Sequence, residues 1–324
     1  MRARSAIVTA GVFAAVSALA ACGAEPTPPP PRPLPPPPPP PAPVAQPEPP
    51  PPPPTPCPDD MLYVDGTYCT KVEQTCLKTE HNKPNKIIIC HAFADDRRCV
   101  GEERRQRFCI DRYEYPNREG GHPPVMVDWY DAQATCQSEG KRLCWESEWV
   151  TACEGPEKLP FPYGLRRDPS ACNIDNNWRD PSLEAIYSKD PKVSGPELLM
   201  LDQSVPSGSK AACKSGYGVH DLTGNVDEWV MADVPYPKSQ FAALKGGAWG
   251  HVRNACRPVT TSHTPDFTYY FISFRCCADP RTPPDPASPP PHDLGPVPHP
   301  VDPKGAPRRG WTPAPVDPYD DGPR

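Results

Sequence analysis

The pattern of apolar and polar residues predicts a few short elements separated by long stretches without a repeat. Side chains alternate along residues 111–115, which is typical of a strand that enters the core. Residues 131–139 have helical spacing, and Gly140 follows where a glycine commonly ends a helix. Residues 146–148 open a second short helix that turns Trp149 inward. Its two glutamates favour capping by negative charge, and a general acid/base pair is the alternative.

The densest run of structural signals is the segment 216–230. Gly224-Asn225 predicts a tight turn, and an apolar strip follows it. Asp221 and Glu228 flank this turn, so their carboxylates and the outward-facing backbone carbonyls offer the oxygen ligands that calcium accepts. The segment therefore indicates a structural calcium site. In the alternative, Asp221 caps the turn and Glu228 pairs with a surface lysine or arginine.

The two ends of the chain differ in composition from its middle. Residues 1–21 combine an arginine-containing start with an apolar run that ends before Cys22, as in a bacterial lipoprotein signal peptide. We expect cleavage there and a lipid anchor on Cys22, and an ordinary secretory signal cut nearby is the alternative. Residues 22–58 are mostly proline, which predicts a polyproline II tether about 100 Å long. The proline-rich tail, residues 280–324, is expected to be disordered.

Residues 59–279 are long enough for one folded domain, with a cysteine-rich lead-in over 59–108. A formal net charge of −6 and a pI near 5.8 argue against nucleic acid as a partner. The chain has 15 cysteines, and those other than Cys22 are even in number, which suits disulfides in an oxidising compartment. Structural zinc is the competing use of cysteine, but the sequence has no C-x-x-C pair.

Several blocks of sequence, spread over roughly residues 61–279, form one recognisable set. They are residues 127–132, residues 140–149, residues 218–229, Lys245-Gly-Gly-Ala-Trp249 and Phe274-Arg-Cys276. In this order they resemble the diagnostic blocks of the formylglycine-generating enzyme (sulfatase-modifying factor) family, with Cys144 where proline is usual. The resemblance implies an α+β fold of the C-type lectin type, with little regular secondary structure and bound calcium; the cysteines of this chain make it disulfide-rich.

The resemblance also implies two calcium sites. One would use the side chains of Asp221 and Glu228 with the backbone carbonyls of Gly224 and Val226. The other would begin at Asn173 and Ile174. Its remaining ligands fall in the divergent segment 175–204, where the sequence does not place them.

Reactive residues of the family's oxidising members can be located by the same resemblance. In those members a serine follows the two glycines, and two cysteines five residues apart bind copper and activate oxygen. Here the corresponding positions hold Ala248, His251 and Cys256. Histidine and cysteine are acceptable copper ligands, and His263 would supply a third. Alternatively, the histidines are ordinary hydrogen-bonded residues and Cys256 lies in a disulfide, as is usual in exported chains.

The cysteine spacing gives an expected but open set of disulfides. Cys276 and Cys277 are adjacent, and a bond between neighbours is strained, so we expect them to have different partners. The set we expect joins Cys109 to one of these two, Cys153 to Cys172, and Cys213 to Cys256.

These features predict an envelope-tethered lipoprotein, facing the periplasm or held at the outer membrane, whose domain binds a peptide or a glycan without changing it. An exposed tryptophan would serve as the platform for that ligand, and the candidates are Trp178, Trp229 and Trp249. Calcium is the expected structural cofactor. The alternative is a copper-dependent oxidase of the formylglycine-generating type, which acts on a cysteine of exported proteins through Cys256 and His251.

Overall fold

The computed structural model describes residues 56–82 and 87–281. The expected signal peptide, Cys22, the tether up to residue 55 and the tail from residue 282 lie outside the described residues. Within the described ranges, no helix is both long and apolar enough to cross a membrane.

Short elements alternate with long irregular segments. The described helices are α1 (Trp129–Ser138), α2 (Glu146–Glu154), α3 (Leu183–Ile186) and α4 (Pro191–Leu201). The strands are β1 (Met61–Cys69), β2 (Val72–Glu73), β3 (Cys76–Asn82), β4 (Ile87–Phe93), β5 (Arg98–Cys99), β6 (Glu103–Asp111), β7 (Arg142–Leu143), β8 (Asp227–Tyr236), β9 (Gln240–Lys245), β10 (Val259–Thr260), β11 (Ile272–Phe274) and β12 (Cys276–Ala278). The expected α+β class with little regular secondary structure is confirmed.

The first four-stranded sheet brings the two ends of the domain together. Its order is β1–β6–β12–β7, and all its neighbours are antiparallel. β1 pairs with β6 over its whole length, from Met61 opposite Asp111 to Cys69 opposite Glu103. The backbone N–H of Arg281 donates to the carbonyl of Pro56 at 2.7 Å. The segment that enters the domain and the segment that leaves it therefore lie side by side.

The second four-stranded sheet has the order β10–β9–β8–β11, with β11 parallel to β8. Two tryptophans tie this sheet to the chain around α1. Trp129 Nε1 donates to the carbonyl of Val230 at 3.0 Å, and Trp229 Nε1 donates to the carbonyl of Val127 at 2.9 Å. Both indoles are fully buried, and these bonds satisfy the one polar group that each carries.

The lead-in contributes to the first sheet and also forms a small projecting part. β1 and β6 belong to the sheet, whereas β2 pairs with β5 and β3 forms a hairpin with β4. Leu77 and Ile88 on this hairpin are exposed. The disulfides Cys69–Cys99 and Cys76–Cys90 brace this part internally.

Local capping explains where the two main helices begin. The N–H of Asp131 donates to Asp128 Oδ1 at 2.8 Å, which caps α1. At the start of α2, Glu148 Oε2 accepts from the backbone N–H of Trp145 at 3.0 Å and also pairs with Arg142. Glu148 therefore has a capping and structural role, as the first interpretation of residues 146–148 proposed.

The strand expected over residues 111–115 is wrong. β6 ends at Asp111, and the chain then turns, with the N–H of Asn117 donating to the carbonyl of Glu114 at 2.8 Å. Pro116 has no N–H to offer to a strand ladder, and Asn117 adopts a φ of +57°. The alternation arises because Tyr113 is buried beside exposed Arg112, within a turn rather than a strand.

Seven disulfides join the described cysteines, and none of the three expected pairings is found. Cys109 bonds to Cys57, Cys153 to Cys256, and Cys172 to Cys213. Two of these follow from the tertiary structure. The tether root lies along β6, and Cys256 lies near the end of α2, where its N–H donates to the carbonyl of Pro160 at 3.0 Å.

The separate partners expected for Cys276 and Cys277 are confirmed. They bond to Cys136 of α1 and to Cys144, respectively. Successive residues of β12 face opposite sides of the sheet, so adjacent cysteines on this strand reach different neighbours.

Candidate functional site

The segment 221–229 forms the tight turn that its sequence predicts. Asp221, Gly224 and Asn225 have φ values of +58°, +82° and +55°. A Cβ atom on Gly224 would lie 2.3 Å from the carbonyl oxygen of Asn173, so only glycine fits there. The Asn225 side chain fixes the turn: its Nδ2 donates to Glu114 Oε2 at 2.9 Å, and its Oδ1 accepts from Asn173 Nδ2 at 3.0 Å.

Glu228 pairs with an arginine, but not at the surface. Arg275 Nε and Nη2 donate to its two carboxylate oxygens, each at 2.7 Å, and Trp149 Nε1 donates to Oε2 at 2.8 Å. Arg275 and Glu228 are both fully buried. Burial opposes the charge of Arg275, but the Glu228 carboxylate outweighs it and raises the pKa of the guanidinium. The second interpretation of Glu228 is therefore correct about an ion pair and wrong about its exposure.

Two further buried carboxylates face this pair, Glu114 and Asp221. Burial raises the pKa of Asp221 to about 6. Burial, with the charges of Asp221 and Glu228, raises the pKa of Glu114 well above its usual range. Glu114 Oε1 has no hydrogen-bond partner among the described residues, whereas Asp221 Oδ2 accepts from the N–H of Gly208 at 2.7 Å. If all three carboxylates are ionised, Arg275 alone cannot balance them.

This arrangement fits a divalent cation, because the excess of buried negative charge and the unpartnered Glu114 oxygen would both be compensated. No three His, Cys, Asp or Glu side chains in the described part of the chain converge closely enough to hold a metal by themselves. A cation at this turn would thus depend on backbone carbonyls as well, and those of Gly224 and Val226 are the ones the resemblance names.

The second expected calcium set does not fit a cation. The carbonyl of Asn173 accepts from the N–H of Asn225 at 2.9 Å, and its Oδ1 accepts from Asn176 Nδ2 at 3.0 Å. Asp175 is turned to Arg167, with which it makes an ion pair. The described partners of Asn173 are neutral amide and carbonyl groups, and Ile174, which follows it, offers only its backbone. The hard anionic ligands that calcium prefers are not supplied.

The positions corresponding to the reactive residues lie after the double glycine that follows β9. Gly246 has a φ of +90°, and a Cβ there would lie 3.0 Å from the carbonyl of Leu222. Ala248 is buried and offers no hydroxyl group. Cys256 is fully buried, and its Sγ is bonded to that of Cys153. Cys256 thus has no free thiol, although its partner is not the Cys213 that we expected.

His251 and His263 lie in different surroundings. His251 Nδ1 is buried and has no hydrogen-bond partner among the described residues, and burial, followed by the charge of Arg253, lowers the pKa of His251 to about 4. His263 stacks on Phe267 with ring centroids 3.9 Å apart, and burial lowers its pKa as well. Both imidazoles are therefore neutral at pH 7.

A surface of aromatic rings borders His251. It consists of Trp178, Tyr187, Phe267, Tyr269 and Phe271, and we call it the aromatic face. The Trp178 and Phe271 centroids lie 6.0 Å apart, those of Tyr269 and Phe271 5.0 Å, and those of His251 and Phe271 5.9 Å. Trp178 is 49% exposed and Tyr187 is 48% exposed. Of the three candidate tryptophans, only Trp178 is exposed, because Trp229 and Trp249 are buried.

The sequence interpretation missed three residues of this region. Glu114 was taken only as part of an alternating pattern, Arg275 was quoted in a block without a role, and Cys153 was paired elsewhere. A signal existed for Arg275: an arginine between Phe274 and Cys276, in an apolar block, must be buried with an acidic partner. No comparable signal marks Cys153, because its pairing depends on how α2 packs.

Comparison with known proteins agrees with this geometry. The Sulfatase-modifying factor enzyme 1-like domain matches residues 53–280. The chain belongs to this family, and its α+β, disulfide-rich fold is that of the formylglycine-generating enzymes.

Individual relatives are more distant. The chain is 28% identical over 175 residues to "Inactive C-alpha-formylglycine-generating enzyme 2" of Bos taurus, which covers 50% of this chain and 52% of that protein. It is 27% identical over 181 residues to the "Formylglycine-generating enzyme" of Thermomonospora curvata, covering 49% and 56%. The chain thus spans about half the length of these relatives. Among solved structures, PvdO from Pseudomonas aeruginosa aligns with a TM-score of 0.38 and 17% identity, covering 69% of this chain and 97% of PvdO.

Burial of His251 predicts a loss of stability in acid. Above pH 6.5 the imidazole is neutral in the folded and unfolded states alike. As the pH falls from 6.5 to 4, the unfolded chain binds a proton that folded His251 refuses, and the free energy of unfolding drops by up to about 3 kcal/mol. His251→Gln should remove this part of the pH dependence in denaturant titrations between pH 4 and 7.5. His81→Gln, on the exposed hairpin, should retain it. Identical curves for wild type and His251→Gln would contradict the assignment.

Proposed function

We propose that this protein is a non-catalytic member of its family, an envelope-tethered lipoprotein whose domain binds a peptide or a glycan at the aromatic face. One observation carries the proposal. Cys256, the only cysteine that occupies a reactive position, is bonded to Cys153 and is fully buried. The oxidising chemistry needs soft thiolates for Cu(I), and this disulfide removes the one that the sequence retains.

The neighbouring positions support the same conclusion. Ala248 offers no hydroxyl group, and His251 replaces the other thiolate with a buried neutral imidazole. Two of the matched mammalian relatives bear the name "Inactive C-alpha-formylglycine-generating enzyme 2". What remains beside the former reactive positions is the aromatic face, and exposed tryptophan and tyrosine rings are typical contact residues for ligands.

The absence of oxidation can be tested directly. Protein loaded with Cu(I) should leave a Cys-x-Pro-x-Arg peptide unchanged in the presence of oxygen, as measured by the mass of the peptide, because no thiolate is free to hold the metal. A Cys153→Ala variant, which frees the Cys256 thiol, is the matched control for Cu(I) binding and should bind more of the metal. Turnover by the wild type that disappears in Cys256→Ala would instead establish the copper-dependent oxidase that uses Cys256 and His251.

We further propose that the turn at residues 221–229 holds a structural calcium ion. Its ligands would be Asp221, Glu228 and the carbonyls of Gly224 and Val226, with Glu114 as a nearby third carboxylate. The support is the excess of buried negative charge and the unpartnered oxygen of Glu114. Bound calcium would favour the ionised carboxylates and hold the turn in its folded geometry.

Chelation should therefore lower the thermal stability. A ligand present at about 100 times its Kd stabilises the folded state by roughly 2.7 kcal/mol, which for a domain of this size corresponds to about 5–10 °C in Tm. Scanning calorimetry with and without chelator measures this shift. Asp221→Asn should unfold at a lower temperature and respond less to calcium, whereas Asp175→Asn, with its exposed carboxylate, should respond as the wild type does. An unchanged Tm in chelator would refute the site.

The proposed localisation is the bacterial cell envelope, through acyl chains on Cys22 and a proline-rich tether that holds the domain away from the membrane. Its support is the sequence of residues 1–22 and the even number of cysteines that remain for disulfides. We propose no nucleic-acid partner, because the chain is acidic.

Fatty-acid labelling tests the anchor. The wild-type protein should incorporate labelled fatty acid and sediment with the membranes, and Cys22→Ala should do neither, because the acceptor thiol is lost. A wild-type protein that stays unlabelled, or a Cys22→Ala variant that remains lipidated, would show that the anchor is elsewhere or absent.

A further inference from the structure

We infer that the aromatic face binds the proline-rich segment 28–41 of this same chain. The inference rests on the proposed function, because it takes the aromatic face to be a binding surface and assigns its ligand. Trp178 and Tyr187 are each about half exposed, and the rings of Phe267, Tyr269 and Phe271 continue the surface toward His251. Such an area of rings at the surface calls for a covering ligand.

The segment has the chemistry that aromatic surfaces recognise. Twelve of its 14 residues are proline, and the other two are Arg32 and Leu34. Proline-rich chains favour the polyproline II conformation before binding, so they lose little conformational entropy when they dock on aromatic side chains. The tail is a weaker candidate, because its 43 residues from 282 onward contain 15 prolines and no run longer than three.

Charge favours the same partner. Arg32 is the only charged residue of the segment. Asp180 is exposed at the edge of the aromatic face, where its Oδ1 accepts from Trp178 Nε1 at 2.8 Å. After burial and Tyr187, the charge of Asp180 also contributes to the raised pKa of Tyr269, as expected for a carboxylate beside this ring. Arg179 donates to the carbonyl of Met200, so its guanidinium is engaged along α4.

The chain is long enough for the contact. The tether joins the domain at Pro56, whose carbonyl is 2.7 Å from the N–H of Arg281. Ten residues separate Arg281 from Phe271, so these two positions are at most about 36 Å apart. The 15 residues from Pro41 to Pro56 span roughly 47 Å in the polyproline II conformation, which exceeds that distance. A tethered ligand of this kind has an effective concentration on the order of millimolar, so a weak contact suffices.

Docking would set the reach of the protein. With the segment bound, only the six residues from Cys22 to Pro28 connect the anchor to the docked part, a span of about 19 Å. With the segment free, the tether extends to about 100 Å. A ligand that displaces the segment from the aromatic face would therefore lengthen the tether.

Photo-crosslinking in the full chain tests the contact. A benzophenone amino acid in place of Leu34 should crosslink to peptides that contain Trp178 or residues 263–271, as mapped by mass spectrometry. Trp178→Ala should lower the yield about five-fold, the loss expected for a hot-spot aromatic. Tyr187→Ala provides a second variant, in case the first perturbs the packing of Phe271. Ile88→Ala, which is 64% exposed on the distant hairpin, should leave the yield unchanged.

Added ligands separate this inference from the proposed function. A free peptide of residues 27–42 should compete with the crosslink, and mixed isotopically labelled copies should show it within single chains. Crosslinks between copies, or none to the aromatic face, would overturn the inference. If peptidoglycan fragments or unrelated peptides then bind in a Trp178-dependent way, the proposed function stands with another ligand. If nothing binds there, both are overturned.

Discussion

The fold depends on the buried ion pair between Arg275 and Glu228. Arg275 lies between β11 and β12, at the point where the chain passes from the second sheet to the first. Its guanidinium holds Glu228 of β8 through two hydrogen bonds and also donates to the carbonyls of Asp111 and His220. Removing one partner of such a pair leaves an uncompensated buried charge, at a cost of about 3–5 kcal/mol. The two sheets are thus connected by a charge that cannot be moved cheaply.

The surrounding groups follow from that constraint. Trp149 of α2 donates to Glu228, which places the helix against both sheets, and the turn at residues 221–225 folds over the same pair. Glu114 and Asp221 add negative charge that Arg275 does not balance. The calcium proposal and the unusual pKa values of these two carboxylates therefore have one origin. Disulfides from the adjacent Cys276 and Cys277 secure β12 on both of its sides.

The same scaffold explains how the reactive positions could change without loss of the fold. The end of α2 brings Cys153 to Cys256, and a disulfide there braces the loop after β9, which carries Ala248 and His251. The thiol in the reactive position thus serves stability instead of chemistry. Beside it, the segment 175–204, which diverges from the family, forms α3 and α4 and presents Trp178 and Tyr187. The surface next to the former reactive positions is consequently aromatic.

The sequence by itself determined the features that depend on residue type and short spacing. These are the family blocks, the turn at Gly224-Asn225, the two main helices with their caps, and the separate partners of Cys276 and Cys277. It failed where distant segments must meet. The strand expected at 111–115 gave way to a turn, three disulfide pairings were wrong, and Glu114 received no role. Only the tertiary structure decided that Cys256 meets Cys153 and that Glu228 meets Arg275, because such pairings depend on how separate elements pack, which local spacing does not encode.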